Sequence, residues 1–145
     1  AAPAAPRLAA LLKPEIDAGL VEVRDYPDRS VVTLLGDAVF KAGSAELDPR
    51  ALHLLRRWGE ELARTEGPIL VTGHTDAQPI RSVRFPSNWH LSEERARFVR
   101  GKLAAALKPE RLRSEGRADT QPVADDSTAA GRARNRRVEV TLRVG

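Results

Sequence analysis

Ile69-Leu70-Val71-Thr72-Gly73-His74-Thr75-Asp76 is the stretch that decides the fold, because a short apolar run ends there in a glycine and a carboxylate. A continuous apolar run of this length is typical of a strand covered on both faces. A long loop follows, and then Ser87-Asn88-Trp89-His90-Leu91-Ser92-Glu93-Glu94-Arg95-Ala96 predicts the start of a helix. Together the two stretches bring a carboxylate and a guanidinium to one end of a sheet.

The rest of the chain supplies partners for this strand. Alternating apolar residues predict strands, and Asp48 before Pro49 and Ser92 before two glutamates are helix-capping signals. The predicted strands are 20–25, 30–35, 69–73, 113–116 and 137–144, the predicted helices run from 49 to about 64 and from 93 to about 107, and 118–134 is expected to be a loop. The fold class is therefore a two-layer α/β (α+β) sandwich with an N-terminal hairpin, a β-α-β-α-β core and a closing C-terminal strand.

The composition is that of one ordinary globular domain. The 145 residues are 41% hydrophobic and 30% charged, and they include no run of about 18 apolar residues that could cross a membrane. Residues 1–19 are rich in Pro and Ala, with a short helical turn expected near Leu8–Leu12, so they are expected to be a linker that leads into a domain at 20–145. Cysteine is absent, which excludes disulfides and thiolate metal sites.

The pair Asp76 and Arg95 is the main candidate site. Arg95 lies four residues before Val99 and eight before Leu103, so it is expected on the apolar, sheet-facing side of its helix. A buried arginine requires an anionic partner, and Asp76 is the expected one. Two interpretations follow: an internal salt bridge that orders the loop, or a site in which Asp76 holds an ammonium and Arg95 a carboxylate. In the empty protein the two side chains are expected to pair with each other.

Other chemistries fit the sequence less well. His74 and Asp76 lack a third ligand with metal-site spacing, so no metal is expected. A Gly-x-Ser-x-Gly elbow is absent, and Ser92 is interpreted as a helix cap, so no catalytic residue is assigned. The basic stretch 131–137 has no aromatic platform, and the net charge is only +4 with 20 interspersed acidic residues, so nucleic acid is not the expected partner.

Four linked motifs resemble the OmpA-like peptidoglycan-binding domain. They cover roughly residues 20–144 in the family's order and spacing, which makes the resemblance far more specific than any one motif. The motifs are Phe40-x-x-Gly43-Ser44-x-x-Leu47, Gly73-His74-Thr75-Asp76, Asn88-x-x-Leu91-Ser92-x-x-Arg95-Ala96 and Gly131-Arg132-x-x-Asn135-Arg136-Arg137-Val138-Glu139.

The resemblance implies a periplasmic domain that binds the cell wall without cutting it and needs no cofactor. The family ligand is the diaminopimelate of the peptidoglycan stem peptide, whose free end is a zwitterion. By resemblance, Asp76 holds the ammonium, Arg95 holds the carboxylate, Asn88 lines the pocket and Arg136 approaches from the last strand. Two further residues, Thr75 and Leu91, lie beside them.

Two departures from the pattern of outer-membrane members indicate which subfamily the chain resembles. Outer-membrane members often carry an acidic residue at the position of Lys41, and their loop after the aspartate is shorter than 77–90. The long loop is similar to inner-membrane members, either the anchor of type VI secretion or the MotB-type flagellar stator, and the segment around His90 favours the anchor. The expected partners are peptidoglycan and other proteins of the secretion complex. A membrane is expected to be reached only through a segment outside this chain, and a homo-oligomer is possible. The rival interpretation is a docking or dimerisation domain that has lost wall binding.

Overall fold

The computed structural model describes residues 8–40, 44–79 and 85–143. These residues form five strands in one sheet, six α-helices and a 3₁₀ turn at Pro109–Arg111. The strands are β1 Val21–Asp25, β2 Arg29–Leu35, β3 Ile69–His74, β4 Leu112–Gly116 and β5 Arg137–Arg143, and the helices are α1 Leu8–Leu11, α2 Lys13–Asp17, α3 Gly36–Val39, α4 Pro49–Leu62, α5 Asn88–Leu103 and α6 Ala129–Asn135.

The sheet has the order β1-β2-β5-β3-β4. β1 and β2 form the predicted hairpin, and β5 inserts antiparallel between β2 and β3. β4 pairs parallel with β3 and forms an edge of the sheet. The predicted two-layer α/β fold with a closing C-terminal strand is therefore confirmed.

Helices α4 and α5 cover one face of the sheet and bury the main core against it. Trp58 and Leu55 from α4 and Val99 from α5 are almost completely buried there, as their apolar spacing predicts. β2 alternates buried with half-buried residues, because its other side chains point to the uncovered face. A Cβ on Gly73 would lie 2.1 Å from the backbone oxygen of Ser92, so glycine is what lets α5 pack directly on the end of β3.

Two sequence expectations about local structure were wrong. α5 begins at Asn88 with Ser87 as its cap, one turn earlier than the predicted cap at Ser92. Ser92 is instead fully buried inside the helix, where its hydroxyl donates to Trp89 O and accepts from Ala118 N. The segment 118–134, expected to be a loop, contains most of α6, and a short helix, α3, follows β2 directly.

The lead segment packs on the domain in the part that the structure describes. Leu8 and Leu12 are 1% exposed and belong to the main core, and Ala9 N donates to a carboxylate oxygen of Asp25 in β1. The division into a lead segment at 1–19 and a domain at 20–145 stays a prediction. Within the described ranges, no helix has the length and hydropathy needed to cross a membrane.

Candidate functional site

The strand register brings four segments to one end of the sheet. Arg137, the first residue of β5, lies opposite Leu35 at the end of β2 and opposite His74 at the end of β3. The residues just beyond these ends must therefore meet. They are Asp37 in α3, Asp76 after β3 and Arg136 before β5, and the beginning of α5 closes the same corner.

Arg136 holds both carboxylates of this corner. Its Nε and Nη2 donate to the two carboxylate oxygens of Asp37 at 2.9 and 2.7 Å, while its Nη1 donates to Asp76 Oδ2 at 2.7 Å. The hydrogen bond from Arg136 lowers the pKa of Asp37, and the same contact is the main cause that raises the pKa of Arg136. Asp76 Oδ1 also accepts from Gln78 N at 3.0 Å. Asp76 is thus buried and fixed in orientation.

Arg95 is buried without a contacting carboxylate, contrary to the expectation that it pairs with Asp76. The residue is 5% exposed, its Nε donates to Ser44 O at 2.8 Å, and its guanidinium carbon lies 4.7 Å above the centre of the Phe40 ring. Among the described residues, no carboxylate oxygen lies within 4.0 Å of it. Burial lowers the pKa of Arg95 to about 10, and the charges of Asp37 and Asp76 oppose that shift without contact. Arg95 therefore stays protonated at neutral pH.

The other three predicted site residues lie around this cluster. Asn88, the first residue of α5, donates its amide to Gln78 O at 3.0 Å and to Asp76 O at 3.4 Å. The Thr75 hydroxyl donates to Asp76 O at 2.8 Å, so both side chains shape the turn that presents Asp76. Leu91 packs with Ala45 and Phe85 in a small apolar cluster of its own. The structure thus brings all six predicted residues to one corner.

The sequence interpretation missed two acidic residues that organise the site. Asp37 follows the end of β2 by two residues, as Asp76 follows the end of β3, and this shared position was the available signal. Asp126 accepts from Ala77 N at 3.2 Å and from the Asn135 amide at 3.1 Å, so it ties α6 to the Asp76 turn. No sequence signal singles Asp126 out. Lys41 and residues 80–84 of the long loop, on which other expectations rested, lie outside the described residues.

His74 is part of the framework next to the site. It is 1% exposed, and neither ring nitrogen has a hydrogen-bond partner among the described residues. Its Nε2 lies 3.9 Å from Glu139 Oε2. Burial is the main cause that lowers the pKa of His74 to about 4, helped by the charge of Arg137, so the ring is neutral at pH 7. The ranges that the structure describes contain no cluster of His, Asp and Glu residues able to hold a metal ion.

The corner as a whole carries two carboxylates and two guanidiniums. Asp76 offers a negative charge whose position is fixed by Arg136, and Arg95 offers a positive charge that no carboxylate neutralises by contact. Such an arrangement suits a ligand group that carries an ammonium and a carboxylate side by side.

This fold and site define a binding domain built on a helix-backed sheet, and the chain belongs to the OmpA family, which it matches over residues 39–136. It is 34% identical to Motility protein B of Bacillus subtilis over 125 residues, which are 84% of this chain and 48% of that protein. The chain spans about half the length of the first curated relatives that it matches.

Two solved structures extend the similarity to nearly the whole chain. The cell wall anchor of the type VI secretion system from Pseudomonas aeruginosa is 47% identical with a TM-score of 0.91, covering 97% of this chain and 99% of that one. A MotB-like protein from Desulfovibrio vulgaris is 26% identical with a TM-score of 0.85, covering 95% of this chain and 90% of that one. The resemblance inferred from the four motifs is confirmed at the level of the family, with the secretion anchor and MotB-like proteins as relatives.

Proposed function

We propose that this domain binds peptidoglycan without cleaving it, by holding the free end of diaminopimelate in the stem peptide. The single observation that carries the proposal is Arg95, a charged and almost fully buried guanidinium with no carboxylate in contact among the described residues. Burying a charge without a contacting counter-ion costs free energy, and groups whose pKa values are strongly perturbed by burial cluster at functional sites.

The roles of the residues follow from their contacts. The ligand carboxylate takes the place opposite Arg95, whose planar guanidinium can donate two parallel hydrogen bonds. The ligand ammonium lies against Asp76, whose position Arg136 and the Gln78 amide fix. Asn88 and Thr75 keep the backbone of that turn in place. The leucine side chain of the small Ala45, Phe85 and Leu91 cluster provides the apolar wall for the aliphatic stem.

The domain belongs to a protein complex of the cell envelope that is anchored to the cell wall. A 47% identical structure is described as the cell wall anchor of a type VI secretion system, which supports a periplasmic domain that anchors such an inner-membrane complex and contacts its other proteins. A membrane connection then lies in a segment outside this chain. A MotB-type stator domain is the alternative, supported by the similarity to Motility protein B.

Cosedimentation with purified sacculi tests the proposal. The parent domain should pellet with sacculi, and Asp76→Ala should lose most of that binding while its circular dichroism spectrum is unchanged. Exposed Glu60→Ala is the matched control, because Glu60 lies in the last turn of α4, near the start of β3 and so at the end of the sheet opposite to Asp76. Equal binding by Asp76→Ala would refute the site. A parent domain that forms a defined oligomer but never pellets would support the docking interpretation, and release of soluble muropeptides would show an enzyme.

A further inference from the structure

A second groove lies beside the proposed peptide site. It has a volume of about 450 Å³ and runs between the first three turns of α5 and the edge strand β4. We name it the α5–β4 groove, and its side chains are Trp89, Glu93, Arg97, Ser114, Glu115 and Arg117. Trp89, Glu93 and Arg97 are spaced by four residues, so they form one stripe of the helix surface.

Trp89 is the unusual residue of this groove. It is 49% exposed, whereas the other tryptophan of the chain, Trp58, is 1% exposed in the main core. A tryptophan left half in water exposes a large flat apolar surface that the fold does not use. Such a surface is a common anchor at binding sites, because a rigid ring gains contact area at little conformational cost.

The other side chains of the groove indicate what lies on that ring. They are two glutamates, two arginines and a serine, so the lining has both signs of charge and no net charge. Glu115 is paired with Arg117, and Arg97 with Glu94, while Glu93 is exposed and has no hydrogen bond or ion pair within the described residues. An apolar helix or a polyanion would not match this lining. A neutral ring with one apolar face and a rim of hydroxyl and amide groups does, because the rim can both donate and accept hydrogen bonds.

The position of the groove matches the polymer that the proposed function requires. Trp89 directly follows Asn88, whose amide bonds the turn that carries Asp76, so groove and peptide site share the N-terminus of α5. Diaminopimelate is the third residue of a stem peptide that hangs from an amino sugar. Three extended residues span at most roughly 10 Å, so a stem peptide seated at Asp76 and Arg95 holds its sugar near this end of α5.

We infer that the α5–β4 groove binds an N-acetylated amino-sugar ring of the glycan strand, with the ring face stacked on Trp89 and its hydroxyl and amide groups bonded by Glu93 and the arginines. This inference rests on the proposed function, since the stem peptide delivers the sugar to the groove. The domain then contacts both parts of the polymer, and a stem peptide attached to its sugar binds more tightly than one that is free.

Calorimetry with two matched ligands tests the inference: the free tripeptide that ends in diaminopimelate, and the same tripeptide on its disaccharide. The disaccharide should improve the affinity of the parent domain about tenfold, the size of one aromatic stacking contact. Trp89→Ala should abolish that gain and leave the affinity for the free tripeptide unchanged, and Trp89→Phe should keep most of it. Phe98→Ala is the control, because Phe98 is also exposed on α5 (37%) but lies outside the groove.

Each result separates the two proposals. Equal affinity of the parent for both ligands, or a Trp89→Ala variant that keeps the gain, would overturn the sugar site, and the peptide site would stand if Asp76→Ala still abolished binding of both ligands. If the parent bound neither ligand, the proposed function would fail and the sugar site with it. The comparison of the two ligands on the parent domain remains a valid test even where Trp89→Ala does not fold.

Discussion

Replacing Arg95 with methionine separates a ligand-binding arginine from a structural one. Methionine keeps the length and most of the volume of the buried side chain but removes its charge and its donors. A structural arginine should stabilise the fold, so its loss should destabilise the domain. A ligand-binding arginine that is buried without a contacting carboxylate should cost little stability when it is removed, and its loss should appear in binding.

The magnitudes follow from the contacts of Arg95. Its pKa of about 10, lowered from 12.5 mainly by burial, means that burial weakens the preference for the charged form by about 3 kcal/mol compared with an arginine in water. Methionine removes that cost. It also loses the hydrogen bond to Ser44 O, worth about 1 kcal/mol, and the stack on Phe40, worth about 1 to 2 kcal/mol. The free energy of unfolding should therefore change by no more than about 1 kcal/mol.

Arg111→Met is the matched control for this prediction. The Arg111 guanidinium donates to Gly67 O, Leu62 O and Thr65 Oγ1 at 2.9, 3.1 and 3.2 Å. It lies next to the starts of β3 and β4, at the end of the sheet opposite to the site. Its loss removes three hydrogen bonds from a charged donor, although Leu62 O still accepts from Thr65, so the domain should be destabilised by about 2 to 3 kcal/mol with binding unchanged.

Urea unfolding and titration with the diaminopimelate tripeptide are the two assays. Arg95→Met should bind the tripeptide at least about 30-fold more weakly, because losing one partner of a buried charge pair costs about 2 kcal/mol or more. The reasoning is refuted if Arg95→Met is destabilised as much as Arg111→Met while it keeps its affinity for the tripeptide. That result would make Arg95 a structural residue.

Three further predictions concern the neighbours of the site. Gly73→Ala should destabilise the domain by at least about 2 kcal/mol in urea unfolding, because its Cβ would meet backbone 2.1 Å away, whereas Gly101→Ala on the open side of α5 should stabilise it by about 0.5 to 1 kcal/mol. The free energy of unfolding should fall as the pH falls from 6.5 towards 4, by up to about 3 kcal/mol, because His74, with a pKa of about 4 in the folded state, binds a proton in that window only in the unfolded chain. The His74→Phe variant, followed by thermal unfolding, should lose this pH dependence. Asp37→Asn should weaken tripeptide binding about three- to tenfold in calorimetry, because Arg136 then pairs with Asp76 alone and competes with the ligand ammonium for it. Since Asp37 is more than half exposed, the free energy of unfolding should change by less than about 1 kcal/mol.

Each of these predictions has a contradicting outcome. Equal stabilities of the Gly73 and Gly101 variants would mean that α5 does not pack on β3 as described. A His74→Phe domain with the parent's pH dependence would assign that dependence to other groups. Asp37→Asn with tighter tripeptide binding would mean that Arg136 hinders the ligand instead of orienting Asp76.

The sheet and its two large helices could be predicted because their signals are local. Alternating apolar residues identify β2 and β5, and Asp48 and Pro49 mark the start of α4, where Asp48 does accept from Arg50 N. The short helices α3 and α6 were missed because they have four and seven residues and are stabilised by tertiary contacts instead of by an apolar stripe. Gly36 N, for example, donates to Arg136 O, a partner a hundred residues away.

The site could be predicted in its residues but not in its pairing. The spacing of Arg95 before Val99 and Leu103 correctly placed it on the buried side of α5. Which cation contacts Asp76 depends on the register of β5 against β2 and β3, and a sequence pattern does not contain that register. Asp37 and Asp76 each lie two residues beyond a strand end, and both pair with Arg136. Asp76 therefore pairs with Arg136 instead of with Arg95, and this ion pair fixes the position of Asp76.

The most direct test of the central claim compares two tripeptides that differ only at the free end of the third residue, one with diaminopimelate and one with lysine. Lysine keeps the ammonium for Asp76 but lacks the carboxylate, so Arg95 would remain without an anion in the complex. Calorimetry should show binding of the lysine tripeptide at least about 30-fold weaker, with Arg95→Met removing the difference between the two ligands. Equal affinity of the parent domain for both tripeptides would contradict the claim that Arg95 binds a carboxylate of the ligand.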